Sequence, residues 1–251
     1  MLQLQYKIAA LTAYLMALLW FTGCTGEKGN GNTTVKRTDT EPFKRIEIYQ
    51  RGSWNPLNWF GTSNNVRIKL IPDGSWAISV ETDENLHDCI QSRIDDETLI
   101  ITVHNSLNSG RGTEIFIHCS DLDFIGLYGS PGIYNTDTIR AGALRIESSG
   151  ASDLNLLVKT QQLKVEISGS SEVQIKGITQ TFLSEVAGSA DIRADELQSD
   201  TCKLELSGSA NCQVNASVYL DVDISGSAEV EYSGTPQIKQ EISGSGNIRK
   251  K

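Results

Sequence analysis

Glu147-Ser-Ser-Gly150-Ala-Ser-Asp153 is the first of six near-copies of one heptapeptide, and that recurrence decides the fold. The others are Glu166-Ile-Ser-Gly169-Ser-Ser-Glu172, Glu185-Val-Ala-Gly188-Ser-Ala-Asp191, Glu205-Leu-Ser-Gly208-Ser-Ala-Asn211, Asp223-Ile-Ser-Gly226-Ser-Ala-Glu229 and Glu241-Ile-Ser-Gly244-Ser-Gly-Asn247. The glycines fall 19, 19, 20, 18 and 18 residues apart. A period near 20 that carries one strand–turn–strand unit per copy predicts a solenoid.

Working outward from each glycine gives the faces of those strands. Six residues before it stand Leu144, Leu163, Phe182, Cys202, Leu220 and Ile238; four before, Ile146, Val165, Ser184, Leu204, Val222 and Gln240. Two before come Ser148, Ile167, Val186, Leu206, Ile224 and Ile242, and four after, Leu154, Val173, Ile192, Cys212, Val230 and Ile248. Alternate residues share one face of a strand, so both arms of each copy turn a mostly apolar face inward. The corner between the arms needs little side-chain bulk, which glycine supplies. Eighteen to twenty residues suffice for a coil that returns one strand spacing, about 4.8 Å, above its start. The expected fold is all-β: a right-handed single-stranded parallel β-helix with an irregular N-terminal β cap. The hand follows from the rule for parallel crossovers, and the hexapeptide repeat of a left-handed helix is missing.

Outward positions form a second pattern. Three before each glycine the residue is always acidic, and five before it stand Arg145, Lys164, Leu183, Lys203, Asp221 and Lys239. Stacked carboxylates repel by about 1 kcal/mol in water at 4 Å, and the basic column offsets this through diagonal pairs. A solvated ladder of ion pairs is the expectation. The sharper alternative is a calcium ion held by Glu205, Asp221, Asp223 and Glu241 where the base is missing; no other metal or cofactor is implied. The acidic or amide residue three after each glycine is expected to bond backbone N–H groups or water at the corner.

Residues 1–23 carry Lys7, an apolar run from Ile8 to Phe21 and then Thr22-Gly23-Cys24. That is a signal peptide, and Phe-Thr-Gly-Cys resembles a bacterial lipobox in which Cys24 becomes lipidated. Residues 24–40 read as a flexible polar tether. Residues 41–125 carry strand patterns at 43–49, 66–71, 76–81, 98–103, 114–118 and 123–128, with one helical turn at 87–93, and read as the cap. Residues 126–251 are the repeat coils, and 41–251 form one domain. The closing Arg249-Lys-Lys251 either discourages edge pairing or meets a partner.

Between two of these strands lies Arg51-Gly-Ser-Trp54-Asn-Pro-Leu57-Asn-Trp59-Phe60-Gly61. Trp54, Trp59 and Phe60 either cover the first coil or form a binding patch for a glycan or a protein. The net charge of −9, without a basic stripe, sets nucleic acid aside. Cys202 and Cys212 occupy apolar columns and read as core, while Cys89 and Cys119 are a possible bridge. His87, His104 and His118 show no metal spacing. Serines recur with the fold, so no catalytic residue is nominated.

The start at Phe43-Lys-Arg-Ile46, the strands Trp76-Ala-Ile-Ser-Val80 and Leu99-Ile-Ile-Thr-Val103, and the closing Ile242-Ser-Gly-Ser-Gly-Asn-Ile248 resemble the head GIN domain family of auto-transporter adhesins, common among Bacteroidetes lipoproteins. The resemblance covers nearly all of the mature chain. It implies a fold more than an activity and brings no catalytic residues with it. The insert at 51–61 is longer than the family pattern. The expected function is a lipid-anchored, non-enzymatic cell-envelope protein, placed at the outer membrane, that presents a surface to a glycan or protein. The alternatives are a pectate-lyase-like enzyme and a structural spacer or assembly subunit.

Overall fold

The computed structural model describes residues 28–51, 66–104, 107 and 109–251. The signal peptide, Cys24 and the patch of Trp54, Trp59 and Phe60 lie outside the described residues. Among the described residues the chain is all-β, with one six-residue 3-10 turn at Glu84–Cys89. Its strands are β1 (Thr33–Asp39), β2 (Arg45–Arg51), β3 (Val66–Ile71), β4 (Ala77–Asp83), β5 (Ile90–Asp95), β6 (Thr98–His104) and β7 (Thr113–His118). They continue with β8 (Phe124–Gly129), β9 (Gly132–Asn135), β10 (Ile139–Gly150), β11 (Asp153–Ser233) and β12 (Gln237–Lys250).

One sheet joins them in the order β5-β6-β2-β8-β10-β11-β9-β3-β7-β4-β1, with β12 on β11. Its interior pairs are parallel, and the pairs β5–β6, β4–β7 and β1–β4 at its two edges are antiparallel. The 81 residues of β11 do not run straight. Gly169, Gly188, Gly208 and Gly226 within it have φ between +128° and +151°, a region that a side chain strains to enter. A Cβ on Gly169 would lie 2.2 Å from the carbonyl oxygen of Gly150, on Gly188 2.2 Å from that of Gly169, on Gly208 2.2 Å from that of Gly188, and on Gly226 2.4 Å from that of Gly208. The same holds for Gly244 on Gly226, at 2.3 Å. All six corners therefore lie one over another. Gly129 adds a seventh below Gly150, and Gln50 takes the next place down, its carbonyl against Gly129.

The columns read from the sequence turn inward. Leu144, Leu163, Phe182, Cys202 and Leu220 are buried, as are Leu154, Val173, Ile192, Cys212 and Val230. One apolar cluster extends from Phe43 to Val230. Two pairs of polar intrusions are bonded to each other: Thr160 donates to Thr179 at 3.0 Å, and the hydroxyls of Ser148 and Ser171 meet at 3.0 Å. Such pairing removes most of the cost of burying a hydroxyl.

Three expectations need correction. The tether over 24–40 is ordered in its second half, because Thr33–Asp39 pairs antiparallel with β4. Backbone hydrogen bonds do this with a single apolar residue, Val35, which is exposed, so no periodicity announced the strand. The helical turn sits three residues earlier than 87–93, burying Leu86, His87 and Cys89. Cys119 keeps a free, buried thiol, so the bridge between Cys89 and Cys119 is not formed. Burial pushes the Cys119 thiol up to about 12, which keeps it protonated and inert.

Candidate functional site

Because the layers are in register, outward residues stack into columns along the face that leads to the glycine corner. One column runs Arg45, Phe124, Arg145, Lys164; the next runs Glu47, Gly126, Glu147, Glu166; a third runs Tyr49, Tyr128, Ser149, Ser168. The ion-pair ladder expected there is present. Arg145 bridges Glu147 and Glu166, and Lys164 bridges Glu166 at 3.0 Å and Glu185 at 2.8 Å. Lys203 holds Glu205 at 2.6 Å. Burial alone would raise the Glu166 carboxyl, but hydrogen bonds from Arg145 and Lys164 hold it below its ordinary value.

Lys239 stands between Asp221, at 3.6 Å, and Glu241, at 3.2 Å. A lysine thus balances the charge at the calcium site suggested by Glu205, Asp221, Asp223 and Glu241. Among the described residues no group of three or more histidine, cysteine or acidic side chains could hold a metal ion. The acidic column after the glycines behaves differently from expectation. Three of its four carboxylates take arginines: Arg193 holds Glu172 at 2.9 Å and Asp191 at 3.3 Å, and Arg249 holds Glu229 at 2.6 Å.

The N-terminal end of this face carries a feature that the sequence reading missed. Tyr49 and Tyr128 stack with ring centroids 4.6 Å apart and planes 13° from parallel. Beside them the guanidinium of Arg45 lies 4.7 Å from the Phe124 ring centroid, and that of Arg145 lies 6.0 Å from it. Such contacts add cation–π attraction. Tyr49 donates to Glu47 Oε2 at 2.7 Å. Burial and that carboxylate push the Tyr49 phenol up to about 12, and burial with Glu147 pushes Tyr128 up as well. Both phenols stay protonated donors at any physiological pH. Gly126 makes room for this arrangement, since a Cβ there would come within 3.0 Å of both Phe124 and Tyr128. The signal was available in Phe124-Ile-Gly-Leu-Tyr-Gly129, which fits the repeat once glycine is allowed at the acidic position.

From Tyr128 a groove of about 330 Å³ runs along the face, floored by Ser149, Ser168 and Ala187 and edged by Glu147, Glu166 and Glu185. Small floor residues leave backbone accessible, and the carboxylates recur once per layer. The combination offers a flat aromatic surface at one end and a row of acceptors leading from it. A larger open groove, about 810 Å³, lies at another corner near Gln161, Gln180 and Gln198. Its hydroxyls are spent within the protein: Thr160 donates to Thr179, Ser199 to the Asn215 carbonyl and Ser217 to the Ser199 carbonyl.

The chain is thus an all-β protein with a mostly parallel sheet and one polar face that ends in aromatic rings. The match to a family model is specific. Residues 61–236 match the family described as "Putative auto-transporter adhesin, head GIN domain", and the chain belongs to that family. Among solved structures, a "putative adhesin" from Bacteroides fragilis superposes with a TM-score of 0.76 at 20% identity, covering 90% of this chain and 100% of that one. A "putative lipid binding protein" from Parabacteroides distasonis gives 0.66 at 22% identity, covering 89% and 98%. A "putative adhesin" from Parabacteroides merdae gives 0.63 at 17%, again covering 89% and 98%. These likenesses show the fold. No curated protein matches the sequence. Among the described residues no helix is long and apolar enough to cross a membrane.

Proposed function

We propose that the chain is a lipid-anchored, non-enzymatic adhesin of the cell envelope, built as a right-handed parallel β-helix, that binds glycan along its glycine-corner face. The winding is supported by the seven glycines lying over one another and by the parallel register of β10 and β12 on β11. Right-handedness is the rule for such crossovers. Anchoring rests on the lipobox pattern that ends in Cys24. The single observation that carries the binding function is the Tyr49–Tyr128 stack at the head of a carboxylate-edged groove. Sugars present one apolar ring face and a rim of hydroxyls, and an aromatic face beside acceptors complements both. The side chains best placed for acid–base chemistry on this face, the glutamates, are engaged in the ion-pair ladder.

A glycan array probed with the full chain in detergent tests this. The wild type is expected to select a small set of glycans. Tyr49→Ala and Tyr128→Ala should each weaken binding about ten-fold, equivalent to ~1.4 kcal/mol, with small changes in melting. Trp54→Ala and Trp59→Ala report whether the insert shares the site. An array without hits, or tyrosine variants that bind as well as wild type, would remove the reading.

A further inference from the structure

The column that carries the tyrosine rings changes character one layer further on. Tyr49 and Tyr128 are followed in it by Ser149 and Ser168, then by Ala187 and Ser207, the residues ahead of the stacked Gly188 and Gly208. All four of these small residues are exposed. Each ring lies across its own strand: Tyr49 reaches Glu47 two residues back, and Tyr128 lies over Gly126. Two layers thus fill this strip with rings 4.6 Å apart, and the next four leave the same strip open. The open strip is the groove that starts at Tyr128. It runs over four layers, about 19 Å at one strand spacing each, and Ser225 and Ser243 continue its column at the far end. A ring therefore closes one end of the groove only. Its wall is acidic, with Glu147, Glu166, Glu185 and Glu205 lining it and no lysine or arginine among the lining residues. The ion pairs engage one oxygen, Oε1, of Glu147, Glu185 and Glu205. A carboxylate offers about four lone-pair sites, so acceptor capacity remains along the wall.

We infer that the groove takes the free, non-reducing end of a neutral glycan, with the terminal sugar ring over Ser149 on the face of Tyr128, where a third aromatic ring would stand. This rests on the glycan-binding reading above, and adds which part of the glycan is held and which glycans are refused. The stacked rings fill the strip beyond Ser149, so a chain lying in the groove must end there. The apolar face of the terminal ring covers the tyrosine, and the sugar hydroxyls donate to the carboxylates one layer after another. A glycan that ends in a uronic or sialic acid would bring its own carboxylate against the acidic wall, and like charges set together across a contact oppose binding. The groove thus discriminates by the charge of the last residue as well as by its shape.

Neutral oligosaccharides immobilised through their reducing ends, each with and without a sialic acid cap on the free end, test this against the full chain in detergent. The uncapped forms are expected to bind, and the cap should weaken binding about ten-fold or more. Ser149→Tyr should weaken it about as much, because its ring takes the ligand's place beside Glu147 just as Tyr49 stands beside Glu47. Ser243→Tyr, in the same column but beyond the groove, should bind as wild type does. Melting curves confirm that both variants fold. If capped and uncapped forms bind alike, or if folded Ser149→Tyr binds as wild type does, the end-on site is overturned while glycan binding itself stands. If no neutral glycan binds, both readings fall together. Should Ser149→Tyr not fold, the comparison of capped with uncapped glycans decides the matter with the wild-type chain alone.

Discussion

Residues 145–250 lay down one layer again and again with nearly the same corner, while residues 45–118 use the same parallel pairing with hardly a repeated residue. Both parts bury the same kind of column: Ile46, Leu99 and Ile125 are as enclosed as Ile146, Val165 and Leu204. The difference lies at the corner. From Gly129 to Gly244 the chain turns within a few residues, so each corner backbone rests on the one below and only glycine fits. In the two layers before Gly129 that position is held by Gln50 and Val103. The glycine repeat therefore marks a tight turn, and the sheet itself asks only for alternating apolar residues.

The hardest way to break that contrast is Gly188→Ala. Its φ of +145° and the 2.2 Å approach to Gly169 should together cost at least about 3 kcal/mol. Gly142→Ala, with open space around the new methyl, should stay within about 0.5 kcal/mol. Chemical denaturation of the two variants measures the gap, and equal losses would deny the corner its special role. The second comparison sets a covered layer against the open one. Ile101→Ala, fully enclosed at 0% exposure, should cost about 3 kcal/mol, and Ile238→Ala, at 39%, less than about 1 kcal/mol.

The smallest effect concerns the turn after β3. There His118 Nδ1 lies 2.7 Å from Asp73, and Ser75 donates to the same carboxylate through its N–H and its hydroxyl. Hydrogen bonds from His118 and Ser75 lower the Asp73 carboxyl from 3.8 to about 2. A depressed carboxyl favours the folded state above pH 3.8 and gives that contribution up as the pH falls toward 2. Asp73→Asn should therefore lower stability slightly at neutral pH and leave it unchanged near pH 2. Melting temperatures across that range show the convergence. Asp73 is well exposed, so solvent keeps the effect small.

Most of the stacked sheet was legible because the repeat prints the same side chains on the same face six times. Six strand patterns before it lie within two residues of the observed ends, most with a clear alternation such as Leu99-Ile-Ile-Thr-Val103. Two strands escaped. Thr33–Asp39 is held by backbone pairing, and Ile90–Asp95 has polar residues at four of six positions, so neither advertises an inward face. The aromatic end of the groove was hidden for another reason. Tyr49 and Tyr128 lie 79 residues apart in sequence and meet only through the register of β2 on β8. Gly129 does not stand out as a copy because Gly126 and Pro131 stand where the other copies have an acid and a serine, alanine or glycine.

The column of glycine on glycine also means that length is an adjustable quantity in this molecule. Each layer touches the one before it and the one after it and little else. Removing residues 170–188 would carry Gly208 down onto Gly169, with every surviving contact remade by a residue of the same kind. The protein would lose one strand's thickness of reach and keep its cross-section. Distance between the tyrosine-bearing end and the far rim is thus set by simple counting, as rungs set the height of a ladder.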